Sequence, residues 1–173
     1  MAPPPTLVIF WGFAGFAVAS ALLCITRRNA VASALWLVVT LFSLAALFVL
    51  LDAQFIAVLQ LLVYAGAIMV LFLFVIMLLN LGRSGPSDLK GPAGLGVAVL
   101  LAGLMLVQLL TVRHAGVAPG LAPGAVARAA AEQGMVPAVA RPLFSVYLVP
   151  FEITSVLLLA AIVGAVVLAK RRL

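Results

Sequence analysis

Charges in this chain are confined to short clusters between long apolar runs, and such a chain can fold only where water is excluded from those runs. A helix that crosses a bilayer needs about 20 mostly apolar residues. Apolar runs of that size, uncharged but for Glu152 in the last, extend from about Leu7 to Thr26, Ala30 to Leu51, Phe55 to Leu81, Leu95 to Val112 and Ser145 to Ala169. They are stopped in turn by Arg27-Arg28-Asn29, Asp52-Ala53-Gln54, Gly82-Arg83-Ser84-Gly85-Pro86, Arg113-His114 and Lys170-Arg171-Arg172. The expectation is an all-α integral membrane protein with five transmembrane helices, forming a single membrane domain over residues 1–173. With 67% hydrophobic and 8% charged residues, no soluble surface is left to carry the basic patch of a nucleic-acid module.

Because alternate loops face the same side, the basic residues give the orientation. Arg27, Arg28, Arg83, Lys90, Lys170, Arg171 and Arg172 fall on one side, against Arg113, Arg128 and Arg141 on the other. This predicts an N-terminus outside and a C-terminus in the cytoplasm. The opening Met-Ala-Pro-Pro-Pro has no basic n-region, and Ala21-Leu22-Leu23-Cys24 lacks the small residue that precedes a lipoprotein cysteine, so the first span is expected to stay in the mature protein. A lone Cys24 makes no internal disulfide, and a lone His114 with few carboxylates assembles no metal site.

Residues 113–144 form the one sizeable extramembrane segment, on the outer side, rich in Ala, Gly and Pro. Pro119, Pro123, Pro137 and Pro142 punctuate it. Ala125 to Gln133 has the composition of one short helix, lying on the membrane surface or on a partner, while the rest reads as a tether. There is no inverted repeat of the kind found in secondary transporters.

Ionisable groups inside spans mark proton or ion paths, yet the middles of all five runs hold none. Glu152 is about 26 Å of helix from Ala169, near the outer edge of the hydrocarbon. Pro150-Phe151-Glu152 reads either as a helix start, with Pro in the first turn and the carboxylate near the positive end of the macrodipole, or as a Pro kink inside a longer helix, and Glu152 itself either as a cap or as part of an outer-side polar path. A chain without a midplane carrier cannot relay protons by itself. The third run is the least bland. Tyr64 falls about 14 Å from Phe55, close to the bilayer centre, where a phenol needs a partner. Ala65-Gly66-Ala67 follows and lets a helix or water approach the backbone. Phe55 to Leu81 would also measure about 40 Å against a core of roughly 30 Å, so tilt or a locally rewound turn is expected. Tyr64 bonding a neighbouring helix, with Gly66 as a packing contact, is the plainer reading. Gln60 and Asn80 read as interhelical hydrogen-bonding residues, and Ala161, Ala165 and Ala169 as a packing stripe.

The stretch Gln54 to Asn80, and above all its core Val63-Tyr64-Ala65-Gly66-Ala67-Ile68-Met69-Val70-Leu71-Phe72, closely resembles the third helix of the NADH-quinone oxidoreductase subunit J family, the bacterial counterparts of mitochondrial NADH dehydrogenase chain 6. Arg28-Asn29-Ala30-Val31 and Pro150-Phe151-Glu152 before Ser155-Val156-Leu157-Leu158-Leu159 resemble it more loosely. The resemblance implies a multi-pass, cofactor-free subunit in the membrane arm of respiratory complex I, in a bacterial plasma (inner) membrane. NADH, FMN, Fe–S clusters and quinone would be held by partner subunits. This chain has no glycine-rich strand-to-helix turn to bind a dinucleotide. The partners implied are the quinone-cavity subunit and the small carboxylate-bearing subunits. The family's third helix carries a π-bulge whose exchange with α geometry opens or closes a water path, and the positions that map to it are Tyr64, Gly66, Met69 and Phe72. The expected function is scaffolding and gating of a proton path in a proton-translocating NADH:quinone oxidoreductase, without catalysis by the chain alone. The alternatives are a purely structural assembly subunit and a small autonomous transporter.

Overall fold

The computed structural model describes residues 5–79, 92–114 and 125–170. Every element in them is helical: α1 (Pro5–Thr26), α2 (Ala30–Leu50), α3 (Gln54–Leu59), a π-helical stretch π1 (Gln60–Ile68), α4 (Met69–Leu79), α5 (Pro92–His114), α6 (Ala125–Gln133), α7 (Met135–Ser145) and α8 (Leu148–Ala169). Among the described residues four helices are long and apolar enough to cross a membrane, namely α1, α2, the continuous Gln54–Leu79 and α8. The expected fourth run lies in α5, where Gly96–Val112 forms a shorter apolar stretch. Asn80 and Leu81, at the end of the third run, lie outside the described residues, as do Pro119 and Pro123.

The chain divides into two units, Met1–Pro123 and Gly124–Leu173. In the first, α1 and α2 form an antiparallel pair. Asn29 ends the connection: its Oδ1 accepts from the Val31 and Ala32 amides at 2.9 and 3.2 Å, capping α2. The seam is built from small residues: Ala17 and Ser20 of α1 are buried, and Ser33 and Thr40 of α2 meet α1 through their hydroxyls. In lipid no hydrophobic force draws helices together, so small side chains and hydrogen bonds hold the seam. Ser20 Oγ lies 2.9 Å from Thr40 Oγ1. One end of the seam is closed by Ser33 Oγ, which donates to the Cys24 carbonyl, with Cys24 Sγ 3.5 Å from the same hydroxyl.

From α2 the chain turns through Leu51-Asp52-Ala53. The Asp52 amide donates to Val49 O at 3.1 Å and the Ala53 amide to Phe48 O at 2.9 Å, the paired bonds of a Schellman cap. The motif puts Asp52 at φ +58°, a left-handed position usually given to Gly. The third span then packs back on α2. Ala34, Met69 and Ile76 form the buried cluster there, flanked by Leu37, Val38, Leu41 and Leu73. Among the described residues α5 packs on no other helix of its unit.

In the second unit the segment expected to hold one short helix holds two. The helix α6 spans Ala125–Gln133, and α7 follows after Gly134 at φ +88°. The prolines do not act as breaks here. Pro137 is the third residue of α7, where an amide hydrogen has no intrahelical acceptor to lose. Pro142 is inside the helix and costs about 3 kcal/mol, offset by packing of α7 on both α6 and α8. Because α7 continues to Ser145, the last span begins at Leu148 rather than at Ser145.

Candidate functional site

The irregular part of the third span is the candidate site. In π1 each amide reaches back five residues instead of four; at its end the Met69 amide donates to the Tyr64 carbonyl. Buried or half-buried residues recur every fourth position along this span: Ala57, Leu61, Ala65, Met69 and Leu73, then Ile76. In a plain α-helix each four-residue step overshoots a full turn by about 40°, so four steps would carry the stripe about 160° round. The wider π turn takes up that drift and keeps both halves of the span facing α2. The sequence carries this signal as the spacing of Ala57, Ala65 and Met69, but an apolar run shows it only once the buried face is known.

The residues singled out from sequence divide between two environments. Met69 is 5% exposed and packs with Ala34 and Ile76. Tyr64 (52%) and Phe72 (47%) are exposed, and Gly66 is exposed with them. A Cβ at Gly66 would lie 3.1 Å from the Leu61 carbonyl oxygen, five residues back. That is closer than ordinary carbon–oxygen contact, and the atom approached belongs to the backbone that defines the π geometry. A side chain introduced at Gly66 would therefore press on the wide turn itself. Gln60 opens the stretch half-buried.

Beside π1 the first unit has an apolar groove of about 560 Å³, lined by Phe13 and Phe16 of α1, Phe42 and Ser43 of α2, and Ala57 and Leu61. The Ser43 hydroxyl is already satisfied, donating to Val39 O at 2.9 Å.

In the other unit, Pro150 occupies the third position of α8, so Pro150-Phe151-Glu152 is a helix start and not a kink. Glu152 does not cap it. The N-cap is Tyr147, with no side-chain capping bond, and Glu152 lies two residues past Pro150, its side chain exposed. The stripe Ala161, Ala165 and Ala169 is exposed within this unit. His114 is the last residue of α5.

Comparison with known proteins extends the likeness seen in Val63 to Phe72 along most of the chain. The family model for NADH-ubiquinone/plastoquinone oxidoreductase chain 6 matches residues 20–168. NADH-quinone oxidoreductase subunit J of Rhodobacter capsulatus is 36% identical over 169 residues, covering 94% of this chain and 80% of the relative. The subunit J of Pseudomonas aeruginosa is 36% identical over 171 residues, covering 94% and 95%, and that of Buchnera aphidicola 34% over 173 residues, covering 95% and 98%. The chain belongs to the NADH-ubiquinone/plastoquinone oxidoreductase chain 6 family, and the bacterial relatives it matches along nearly its whole length are subunits J of NADH-quinone oxidoreductase.

Proposed function

We propose that this chain is a membrane-arm subunit of a proton-translocating NADH:quinone oxidoreductase in a bacterial inner membrane, with its N-terminus outside and its C-terminus in the cytoplasm. In this reading Tyr64 to Phe72 gates the hydration of a proton path whose carboxylates belong to neighbouring subunits, the quinone-cavity subunit and the small carboxylate-bearing ones. NADH, FMN, Fe–S clusters and quinone sit in partner subunits, and the chain supplies no catalytic residue of its own.

The observation that carries the reading is π1, where a Cβ at Gly66 would crowd the backbone and bulky Tyr64 and Phe72 are exposed on either side. Removing one residue's worth of π widening would turn everything after it by about 100°. That would carry Met69 out of the α2 cluster and re-aim Phe72. In lipid the cost of that turn is the lost packing of Met69, Leu73 and Ile76 on α2 and not their exposure to water, so a coupled reaction can shift the balance between the two geometries. Lacking a midplane carboxylate, the chain can open or close a water path but cannot itself hold the proton. Glu152, exposed in the second turn of α8, is the candidate for an outer-side polar contribution.

The close packing of Met69 against Ala34 and Ile76 also suits a second reading, a rigid assembly subunit. The two differ in what Gly66→Leu does in the assembled complex. As a gate, the variant assembles, keeps NADH oxidation by artificial acceptors, and loses most quinone-linked proton pumping. As a scaffold, pumping per assembled complex is unchanged and only the amount of complex falls. Full pumping at normal assembly sinks the gate.

A further inference from the structure

The second unit places an amphipathic helix directly beside the start of a membrane span. At 100° per residue, Met135, Val136, Val139 and Leu143 of α7 fall within one arc of about 100°, with Arg141 and Ser145 on the opposite side. Met135 and Val136 are exposed, Val136 by 58%, while Val139 and Leu143 are half-buried, so packing within the unit covers that face only in part. Arg141 also faces outward, its Nη1 donating to Gln133 Oε1 at 2.6 Å.

Only Val146 and Tyr147 separate α7 from α8. Two residues span at most about 7 Å, so the end of α7 lies at the level where α8 begins. The join is fixed from both sides. The Val146 and Tyr147 amides both donate to the Pro142 carbonyl at 2.9 Å, and the Phe144 ring meets Phe151 edge-on at 5.1 Å between centroids. Tyr147, exposed at the head of α8, is the residue type that occupies the bilayer interface. The apolar face of α7 thus runs on into a helix whose whole first turn is apolar.

We propose that α7 is an interfacial helix, seated on phospholipid at the membrane face where α8 enters, with Met135, Val136, Val139 and Leu143 among the upper acyl carbons and Arg141 at the level of the phosphates. Helices of this kind bury an apolar face in the headgroup–acyl boundary while the basic side chains stay with the headgroups. The assignment depends on α8 crossing the bilayer and not on the gate at π1. Its role is to set the depth of α8 and so the height of Glu152 near the interface.

The test uses the full chain in vesicles of phosphatidylethanolamine and phosphatidylglycerol. Nitroxide labels are placed singly through Val136→Cys and Arg141→Cys on a Cys24→Ser background, Cys24 being the single native cysteine. Collision with oxygen, which partitions into lipid, is compared with collision with a water-soluble nickel chelate. The expected result is an oxygen-to-nickel ratio several-fold higher at position 136 than at 141; equal ratios at the two positions overturn the proposal. In native membranes, a photo-crosslinking amino acid at position 136 is expected to give lipid adducts, and a covalent link to another polypeptide would overturn the proposal in favour of a protein cover.

Discussion

The hydroxyl pair between α1 and α2 makes a quantitative prediction. Ser20 Oγ donates to Ala17 O at 3.0 Å, Thr40 Oγ1 donates to Trp36 O at 3.0 Å, and the two oxygens are 2.9 Å apart. Each hydroxyl has a single proton, so two protons serve three contacts and one is shared across the seam. Thr40→Val removes the interhelical bond but leaves Ser20 its carbonyl, so no buried group is orphaned. The loss is then the bond alone, about 0.6 kcal/mol and at most about 1.7 kcal/mol for such bonds in membrane helices. Ser20→Ala removes the same bond from the other side, at a position only 1% exposed. A double-mutant cycle over these two changes, read by reversible denaturation of the full chain in lipid–detergent micelles, is expected to give a coupling of about 0.6–1.7 kcal/mol. Independent effects, adding to within about 0.3 kcal/mol, would refute the shared-proton account of the seam. Ser20→Val makes a useful contrast, because a larger group in that tight contact costs about 1–3 kcal/mol through overpacking.

The helix ends give two further tests under the same assay. Asp52 holds φ +58° in the cap of α2, so a β-branched residue there meets the left-handed penalty in full: Asp52→Ile should destabilise by about 1–2 kcal/mol, while Asp52→Gly should be at least as stable as the native chain. Equal stability of the two variants would show that the left-handed turn is not held in the membrane. Asn29→Ala strips two amide partners from the start of α2 and should cost about 1 kcal/mol, with most of it recovered by Asn29→Asp; a neutral Ala variant would mean that water or lipid headgroups cap α2 equally well.

What could be read from the sequence follows from what hydrocarbon demands of a chain. A span must be long, apolar and uninterrupted, so charge clusters at Arg27-Arg28 and Lys170-Arg171-Arg172 point directly to the ends of α1 at Thr26 and α8 at Ala169. The motif Val63 to Phe72 carried the family. Proline misled in the segment 113–144, because its cost depends on where in a helix it falls. Pro137 sits where no bond is lost, and Pro142 is tolerated because α7 packs on both sides. Glu152 looked like a cap because Pro-Phe-Glu is a plausible helix opening; α8 in fact starts two residues before Pro150, leaving the carboxylate past the first turn. The left-handed Asp52 had no sequence signal, since a Schellman cap normally announces itself with Gly.

The packing face of each span was illegible for a different reason. In a soluble helix polarity marks the buried side, but here both sides are apolar and side-chain size decides instead. Of the nine buried residues among those described, Ala17, Ser20, Ala34, Ser43, Ala45, Ala57 and Ala65 are small, and only Met69 and Ile76 are large. Ala57 and Ala65 are eight positions apart, which in an α-helix leaves them about 80° out of line. For both to lie against α2, the backbone between them must hold more residues per turn. The π stretch is thus a consequence of where the small residues stand, and its conversion to α geometry cannot leave both ends of the stripe in place. Either Ala57 and Leu61 or Met69 and Ile76 must come away from α2.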